Sequence, residues 1–403
     1  MNNIHNISAP EAELLPSHPI LKAFEQIECG QLFLKTPEGY VHNFMAKNVG
    51  PVAYLYLNDW KAFDALISRG EIGFVESYMD GLWDSPNLPV FLTFGLANAH
   101  VLENYFYGKP AYVIFTRIAN FFSGNSIKGS RKNIMAHYDL GNEFYKLWLD
   151  DGMTYSCALF GIETDMSLED AQHEKYCRIL DKLDAMPGEH ILEIGCGWGG
   201  FAEVAARAGI RVTGITISEK QKIYAEERIK QAGLDDFARI ELMDYREVKD
   251  KFDYVVSIGM FEHVGENYWP TYFNTIKSCL KPGGKAMVQS ITIDHDVFER
   301  TRGKYGFIEQ YIFPGGMLPS KPLFKAVAEK AGLVCNEMFA FGQNYVLTLY
   351  KWLENFDRHE KEVRALGYDE PFIRMWRMYL ASSIAAFTTG RTDVMQVELI
   401  NEC

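Results

Sequence analysis

The chain lacks the features of a membrane-spanning, secreted or disulfide-rich protein. Its 403 residues include no stretch that approaches the ~20 consecutive apolar residues of a transmembrane helix. Residues 1–15 have neither the basic start nor the apolar core of a secretory signal peptide, and they include Glu11 and Glu13. The seven cysteines are unevenly spaced, and no pair has the spacing of a zinc knuckle. We therefore expect a cytoplasmic protein with neither structural disulfides nor a metal site.

Positive charge is also scarce. The chain has 40 Lys and Arg residues against 53 Asp and Glu residues, which gives a formal net charge of −13. Because phosphate binding needs clustered Lys and Arg, this balance argues against a nucleic-acid partner. Apolar residues make up 48 % of the chain and aromatic residues 14 %, which excludes intrinsic disorder. The aromatic content predicts either large hydrophobic cores or a large apolar ligand.

One segment, residues 104–138, reverses this charge balance. It contains no Asp or Glu, and it combines several Phe and Tyr residues with the basic residues Lys109, Arg117, Lys128, Arg131 and Lys132. Mixed basic and aromatic side chains are typical of surfaces that bind anionic lipid. The alternative is a core helix followed by a solvated linker at residues 123–130.

Hydrophobic patterning predicts two domains. From about residue 168, short apolar strands alternate with helices, which is the pattern of a doubly wound, mostly parallel sheet covered on both faces. We expect residues 334–340 and 345–349 to add an antiparallel edge to this sheet. The chain is therefore predicted to be an α/β protein with a smaller, mixed α+β domain at residues 1–125 and a larger domain at residues 126–403.

The most informative segment is residues 190–200, in which an apolar strand leads into a glycine-rich turn and then a helix. Glycine lets a ligand approach the backbone, and the start of a helix offers free N–H groups. The spacing of Gly195 and Gly197 differs from the fingerprint of dinucleotide-binding folds. Glu193 would repel a pyrophosphate, but it suits the positive amino group of a methionine moiety. The alternative is a purely structural tight turn.

This run resembles the E-x-G-x-G-x-G motif of the class I S-adenosylmethionine methyltransferases, in which it holds the amino-acid part of the cofactor. The resemblance implies a Rossmann-like methyltransferase sheet. The next strand ends at Thr216 and Ser218, with Gln221 one turn later, and neutral side chains of this kind can bond to ribose hydroxyls. After the third strand, Asp244 can accept from the exocyclic amine of adenine, and Tyr245 can stack on the base.

Four further segments narrow the resemblance to the cyclopropane-fatty-acyl-phospholipid synthase family. They are residues 137–145, 154–158, 259–265 and 311–320. The resemblance is dense from about residue 130 onward. It implies transfer of a methylene from S-adenosylmethionine to the cis double bond of an unsaturated phospholipid acyl chain. It also implies a cytoplasmic enzyme associated with the inner face of the cell membrane, with a homodimer as one arrangement.

The resemblance also suggests the proton-abstracting machinery. In the family, a bicarbonate ion serves as the base, and the matching positions here are Cys157, Glu262 and Tyr345. Gln289 stands where the family has a His, whereas Ile291 is retained. A Gln can donate a hydrogen bond, but it cannot carry charge or relay a proton. His295 is a nearby alternative to the missing His.

The predicted site therefore has two parts. The catalytic residues are Cys157, Glu262, Tyr345, Gln289 and Ile291. The cofactor-binding residues are Tyr138, Tyr155, Ser156, Glu193, Gly195, Gly197, Thr216, Gln221, Asp244, Tyr245 and Gly259.

Gln289 leaves two points open. One is whether bicarbonate binds more weakly or is replaced by another carboxylate. The other is the product: the resemblance implies methyl- or methylene-branched acids for relatives with such changes, and cyclopropane acids remain the first expectation. Two other functions are compatible with the same fold. One is a methyltransferase that acts on a small soluble molecule, and the other is a lipid sensor that binds the cofactor without turnover.

Overall fold

The computed structural model describes residues 18–106, 140–161, 166–304 and 306–402. Most of the basic and aromatic segment predicted to bind lipid lies outside these residues, as do Tyr138 and the predicted domain boundary after residue 125.

The N-terminal elements are α1 (Pro19–Phe24), β1 (Cys29–Lys35), β2 (Val41–Met45), β3 (Asn48–Leu57), α2 (Lys61–Met79, kinked at Gly70), β4 (Trp83–Asp84), α3 (Leu88–Ala97) and α4 (Ala99–Phe106).

The N-terminal strands form a small mixed sheet in the order β2-β1-β3-β4. The strands β1 and β3 are parallel, and the other pairs are antiparallel. Alternate residues such as Leu32, Leu34 and Leu55 are buried, and α3 packs over this face of β1 and β3. A mixed α+β N-terminal part is therefore confirmed.

The remaining chain forms a seven-stranded sheet in the order β10-β11-β9-β8-β5-β6-β7. The strands β5 to β9 are parallel, as alternating strands and helices predict, and β11 is antiparallel to both of its neighbours. The strands are β5 (His190–Ile194), β6 (Arg211–Thr216), β7 (Ala238–Leu242), β8 (Phe252–Ile258), β9 (Leu280–Ile293), β10 (Val334–Ala340) and β11 (Thr392–Ile400).

Helices cover this sheet on both faces and build a further layer from the C-terminal residues. The α-helices are α5 (Asn142–Lys146), α6 (Leu168–Leu183), α7 (Gly200–Arg207), α8 (Glu219–Gln231), α9 (Trp269–Cys279), α10 (His295–Thr301), α11 (Lys321–Lys330), α12 (Gly342–Arg358), α13 (Glu360–Ala365) and α14 (Glu370–Thr388). Short 3-10 helices span Tyr245–Glu247, Phe261–His263 and Glu266–Tyr268, and a π-helix spans Ile308–Ile312.

The predicted edge of the sheet is partly wrong. Residues 334–340 do form the edge strand β10, but its partner is β11 and not residues 345–349. Those residues lie in α12, where Tyr345, Leu349 and Trp352 are buried at helical spacing. A five-residue apolar window is too short to distinguish a strand from a buried helix turn. Tyr345 is therefore presented by a helix.

One hydrophobic core joins the N-terminal part to the catalytic sheet. Helix α14 packs against α2 and α3. The guanidinium of Arg374 on α14 donates hydrogen bonds to the backbone oxygens of Tyr78 and Trp83 and lies over the Tyr78 ring at 3.9 Å. The Tyr311 hydroxyl donates to Glu76 on α2 at 2.6 Å. Within the described ranges, no helix is long and apolar enough to cross a membrane.

Candidate active site

A pocket opens at the carboxyl ends of β5, β6 and β8, where doubly wound sheets bind their ligands. The space between its walls, its open mouth included, is about 1110 Å³. Ten of the predicted cofactor residues line it. They are Tyr155, Ser156, Glu193, Gly195, Gly197, Thr216, Gln221, Asp244, Tyr245 and Gly259.

The glycine-rich turn between β5 and α7 forms the floor of the pocket. Gly195 and Gly197 have positive φ angles of 82° and 53°, which favour glycine. A side chain at Gly195 would come within 3.1 Å of Met260. A Cβ atom at Gly197 would meet no atom within 4 Å and would extend into open space. The turn therefore exposes its backbone directly to a ligand.

Glu193 places a buried carboxyl group in the pocket. Its carboxylate is buried, and its Oε2 atom has no hydrogen-bond partner among the described residues. Burial raises the pKa of Glu193 to about 8, and the charge of Lys175 only partly opposes this. An unpaired buried carboxylate is costly, and a ligand ammonium group would compensate it. The residue therefore fits the amino group of S-adenosylmethionine.

A buried lysine that the motifs did not indicate lies behind the pocket wall. Lys175 on α6 has no solvent exposure, and its Nζ donates to Ser156 Oγ at 2.7 Å and to Gln172 Oε1 at 2.6 Å. Gln172 Nε2 in turn donates to the backbone oxygen of Ser156 at 2.9 Å. Burial lowers the pKa of Lys175 to about 7. Lys175 and Gln172 therefore fix the backbone and the hydroxyl of Ser156 by hydrogen bonds from the side of α6.

The sequence contains a signal for this pair. Helix α6 buries Leu168, Ala171, Gln172, Lys175 and Ile179, which recur at helical spacing. Two polar residues therefore fall on the apolar stripe of the helix, where long polar side chains need buried partners.

The nucleoside end of the pocket has neutral and acidic groups. Thr216 Oγ1 donates to Gln221 Oε1 at 2.9 Å, so the group that Gln221 can offer a ribose hydroxyl is its amide N–H. Ser218 caps α8 by accepting the N–H of Gln221 at 3.3 Å. Asp244 forms a bidentate pair with Arg246 at 2.7 and 2.8 Å. Arg246 also lines the pocket, and the motifs did not indicate this residue.

The predicted catalytic residues lie outside this pocket, around the carboxyl end of β9. Gln289 Nε2 donates to the Cys157 backbone oxygen at 3.4 Å, and the Ile291 N–H donates to Glu262 Oε1 at 2.5 Å. Tyr345 lies on α12, one turn before Thr348, whose Oγ1 accepts the N–H of Ala158 at 3.1 Å. The fold therefore brings four separate segments of the chain together.

Two of these groups are buried and carry unusual acidities. Glu262 Oε2 has no hydrogen-bond partner within the described part of the chain, and burial raises the pKa of Glu262 to about 7. Burial raises the pKa of the Cys157 thiol far above its ordinary range, so this cysteine is a neutral donor and not a thiolate. The Cys157 thiol donates to the Ala158 backbone oxygen at 3.2 Å, whereas a protonated Glu262 can donate a hydrogen bond to a bound anion, which fits the bicarbonate expected from the motifs.

Gln289 is held by a chain of buried amides. Its Oε1 accepts from Gln396 Nε2 at 3.1 Å, and Gln396 Oε1 accepts from Arg178 Nη1 at 2.5 Å. This chain orients the Gln289 amide so that its nitrogen faces Cys157. His295, the alternative to the missing His, is engaged instead with Ser320 Oγ at 3.0 Å.

Aromatic rings connect the pocket with the catalytic residues. Tyr155 lines the pocket, its hydroxyl bonds to that of Tyr379 at 2.8 Å, and its ring lies 5.4 Å from Trp352. The Trp352 ring lies 5.9 Å from that of Tyr345. Such a lining excludes water, and the π faces can stabilise a developing cation.

The chain is similar to known proteins over most of its length. Residues 125–397 match the family model for mycolic acid cyclopropane synthetase. The chain is 38% identical over 355 residues to tuberculostearic acid methyltransferase of Mycobacterium tuberculosis, covering 84% of this chain and 82% of that one. It is 37% identical over 339 residues to cyclopropane-fatty-acyl-phospholipid synthase of Escherichia coli, covering 83% and 84%. The crystal structure of mycolic acid cyclopropane synthase CmaA1 with SAH and CTAB superposes with a TM-score of 0.63 at 30% identity, covering 67% of this chain and 98% of that one.

Proposed function

Since this chain belongs to the mycolic acid cyclopropane synthetase family and is an S-adenosylmethionine-dependent methyltransferase, we propose that it converts cis double bonds of unsaturated phospholipid acyl chains into cyclopropane rings. The observation that carries the proposal is the group of buried residues Cys157, Glu262 and Gln289, which lies beside the cofactor pocket. An ordinary small-molecule methyltransferase has no need for a separate, dry proton-abstracting site.

The proposed reaction has three steps. Bound S-adenosylmethionine supplies an electrophilic sulfonium methyl group. The alkene π electrons form a bond to this methyl carbon as its bond to sulfur breaks, which leaves a carbocation on the acyl chain. Loss of a proton from the added methyl then allows the ring to close. The aromatic rings of Tyr155 and Trp352 keep water away from the cation.

The chain's own residues support each step. Glu193 offers its carboxyl group, and Ser156, which Lys175 fixes from behind, offers its hydroxyl to the amino-acid end of the cofactor. With a pKa of about 7, Glu262 can donate a hydrogen bond to a bound anion and also exchange a proton at neutral pH. Cys157, Glu262 and Tyr345 would hold bicarbonate, which would supply a base there.

A methyl- or methylene-branched product is the second candidate, and Gln289 favours it. The amide is fixed between the Cys157 carbonyl and Gln396, so it neither carries charge nor relays a proton. Slower proton removal gives the carbocation time for a hydride shift from the methyl-bearing carbon, and loss of a proton from the added methyl then gives a methylene-branched chain. A relative named for tuberculostearic acid methylation also points in this direction.

The structure of the lipid product tests the proposal. Purified protein is incubated with S-adenosylmethionine and vesicles of cis-monounsaturated phospholipid, with and without bicarbonate, and the released acyl chains are examined by proton NMR. Ring protons resonate far upfield of alkene protons, whereas mass does not separate the isomers. Ring signals support the cyclopropane proposal, and a branched alkene establishes the second candidate. Absence of any product overturns both.

A further inference from the structure

The N-terminal sheet is apolar on both faces, and among the residues that the structure describes a helix covers only one of them. Its outer face consists of nine outward-pointing positions on β1, β2 and β3. These positions form three rows across the strands, namely Met45–Gln31–Val52, Asn43–Phe33–Tyr54 and Val41–Lys35–Tyr56. Sheets with one solvated face normally place polar residues there, and this face departs from that rule.

The apolar side chains of this face are well exposed. Met45 is 71% exposed and Val41 is 65% exposed, and Val49 at the edge of the face is fully exposed. Val52, Tyr54 and Tyr56 are exposed on β3, and the Tyr54 ring stacks on Phe33 at 5.1 Å. Contiguous exposed apolar surface of this kind marks an interaction site.

The charge of this region is opposite to that of the whole chain. Between Cys29 and Leu57 the sequence contains Lys35 and Lys47 but one acidic residue, Glu38, whereas the chain as a whole has a net charge of −13. The Glu38 carboxylate accepts from Trp60 Nε1 at 2.9 Å, beside the start of α2. Lys35 therefore carries the one formal charge among the nine positions of the described outer face.

We propose that the outer sheet face of the N-terminal domain docks onto the surface of an anionic lipid bilayer. The apolar side chains of Met45, Val41 and Val52 enter the interfacial region, and Tyr54 and Tyr56 lie at headgroup level, where aromatic side chains with a polar tip are favoured. Lys35 and Lys47 contact anionic headgroups. The inference rests on the proposed function because it supplies the membrane contact that a phospholipid substrate requires.

Charge favours a lipid surface over a second copy of the chain. In a two-fold dimer through this face, Lys35 from each copy would enter an apolar contact, and the one acid of this stretch, Glu38, is already engaged by Trp60. Burying unpaired ammonium groups is costly, whereas a long lysine side chain at a bilayer keeps its charge among headgroups.

Sedimentation with vesicles tests the proposal on the full chain. The vesicles contain unsaturated phosphatidylethanolamine with phosphatidylglycerol, and the variant carries Met45→Thr, Val52→Thr and Tyr56→Thr, which suit exposed strand positions. We expect vesicle affinity to fall at least about tenfold. Lys35→Gln alone should reduce it about fivefold, and only on anionic vesicles at low salt.

A matched control uses equally exposed residues of the catalytic domain. Met186 is 63% exposed, and Val334 and Tyr350 match Val52 and Tyr56 in exposure. The variant Met186→Thr, Val334→Thr and Tyr350→Thr should bind vesicles like the unmodified protein. Equal loss in both variants, or unchanged binding in the outer-face variant, overturns the docking proposal. Unchanged vesicle binding together with dissociation of a dimer in the outer-face variant assigns the face to a second copy.

Measurement of turnover distinguishes a failure of the docking proposal from a failure of the proposed function. The outer-face variant should keep its activity on short-chain unsaturated phospholipid dispersed in detergent, because its cofactor pocket is intact. If the unmodified protein binds vesicles through this face but modifies no phospholipid in either form, the proposed function fails and the docking surface stands. If the unmodified protein modifies phospholipid both in vesicles and in detergent, and the outer-face variant modifies phospholipid in vesicles equally well, the docking proposal fails and the proposed function stands.

Discussion

The ammonium group of Lys175 donates a 2.7 Å hydrogen bond to Ser156 Oγ from a position with no solvent exposure. Ser156 lines the cofactor pocket, and Glu193 lies in the same pocket with an unpaired buried oxygen. Ser156 and the buried carboxyl group of Glu193 thus face the place of a zwitterionic amino acid, and Lys175 lies behind Ser156. Burial favours the neutral form of Glu193, and a bound ammonium group would favour its ionised form.

Lys175→Met should weaken S-adenosylmethionine binding at least about tenfold without destabilising the fold. Removal of the donor leaves Ser156 Oγ and Gln172 Oε1 without their partner, which costs about 1–3 kcal/mol. Replacing a buried charge by an apolar side chain of similar length offsets this cost in the cofactor-free protein. Calorimetric titration and urea unfolding measure the two quantities. Lys182→Met, on the exposed side of the same helix, is the control, and equal cofactor affinity in both variants would contradict this role.

Glu193→Gln should reduce cofactor affinity about tenfold to a hundredfold, because the amide oxygen still accepts from the charged amino group but carries no negative charge to pair with it. It should also change how stability depends on pH. The folded-state pKa of Glu193 is raised from 4.5 to about 8, so the folded protein holds a proton that the unfolded chain releases. The free energy of unfolding contributed by this group therefore falls as pH rises through that range. Relative to the unmodified protein, the variant should be more stable at about pH 8 than at about pH 5 by urea unfolding. An identical pH profile in both proteins would contradict the assignment.

Glu262→Gln should cut turnover more than about tenfold and leave cofactor affinity nearly unchanged. A glutamine keeps the acceptor for the Ile291 N–H and still donates to an anion, but it cannot exchange a proton. Because the pKa of Glu262 is about 7, the turnover of the unmodified protein should also change near neutral pH, and this inflection should vanish in the variant. Steady-state kinetics measure the turnover, and calorimetry measures the cofactor affinity. Parallel loss of turnover and of cofactor affinity would show a structural role.

Gln396→Met should alter the product without altering cofactor binding. Gln396 orients the Gln289 amide, and its replacement removes the donor to Gln289 Oε1 and the acceptor for Arg178. We expect turnover to fall about tenfold and the ratio of ring to branched product, measured by proton NMR, to shift. Gln231→Met, on the exposed end of α8, is the control. Loss of stability with an unchanged product ratio would leave Gln396 as a packing residue only.

The contiguous parts of the site could be predicted from the sequence. The glycine turn, Thr216, Asp244 and Gly259 each follow an apolar strand, and parallel strands end at one edge of the sheet. Their convergence therefore follows from the common direction of the parallel strands. Gly195 and Gly197 are also local, since their positive φ angles require glycine whatever surrounds them.

Other features depended on which residues the fold buries together. Tyr345 lies on a helix because its apolar spacing continues through Trp352 and Phe356, beyond the window that predicted a strand. The acidity of Glu262 and Lys175 depends on burial by distant segments. The chain of amides from Arg178 through Gln396 to Gln289 joins a helix and two strands.

The sequence by itself determined the mostly parallel α/β class of the sheet, the cofactor turn and the family, because these depend on local backbone conformation and on short motifs. Only the tertiary structure decided the acidities at the site and which surface of the described residues is left uncovered. A side chain's acidity depends on the water it loses, and an apolar sheet face is a docking surface only when no other element covers it. Both properties arise from contacts between residues far apart in the chain.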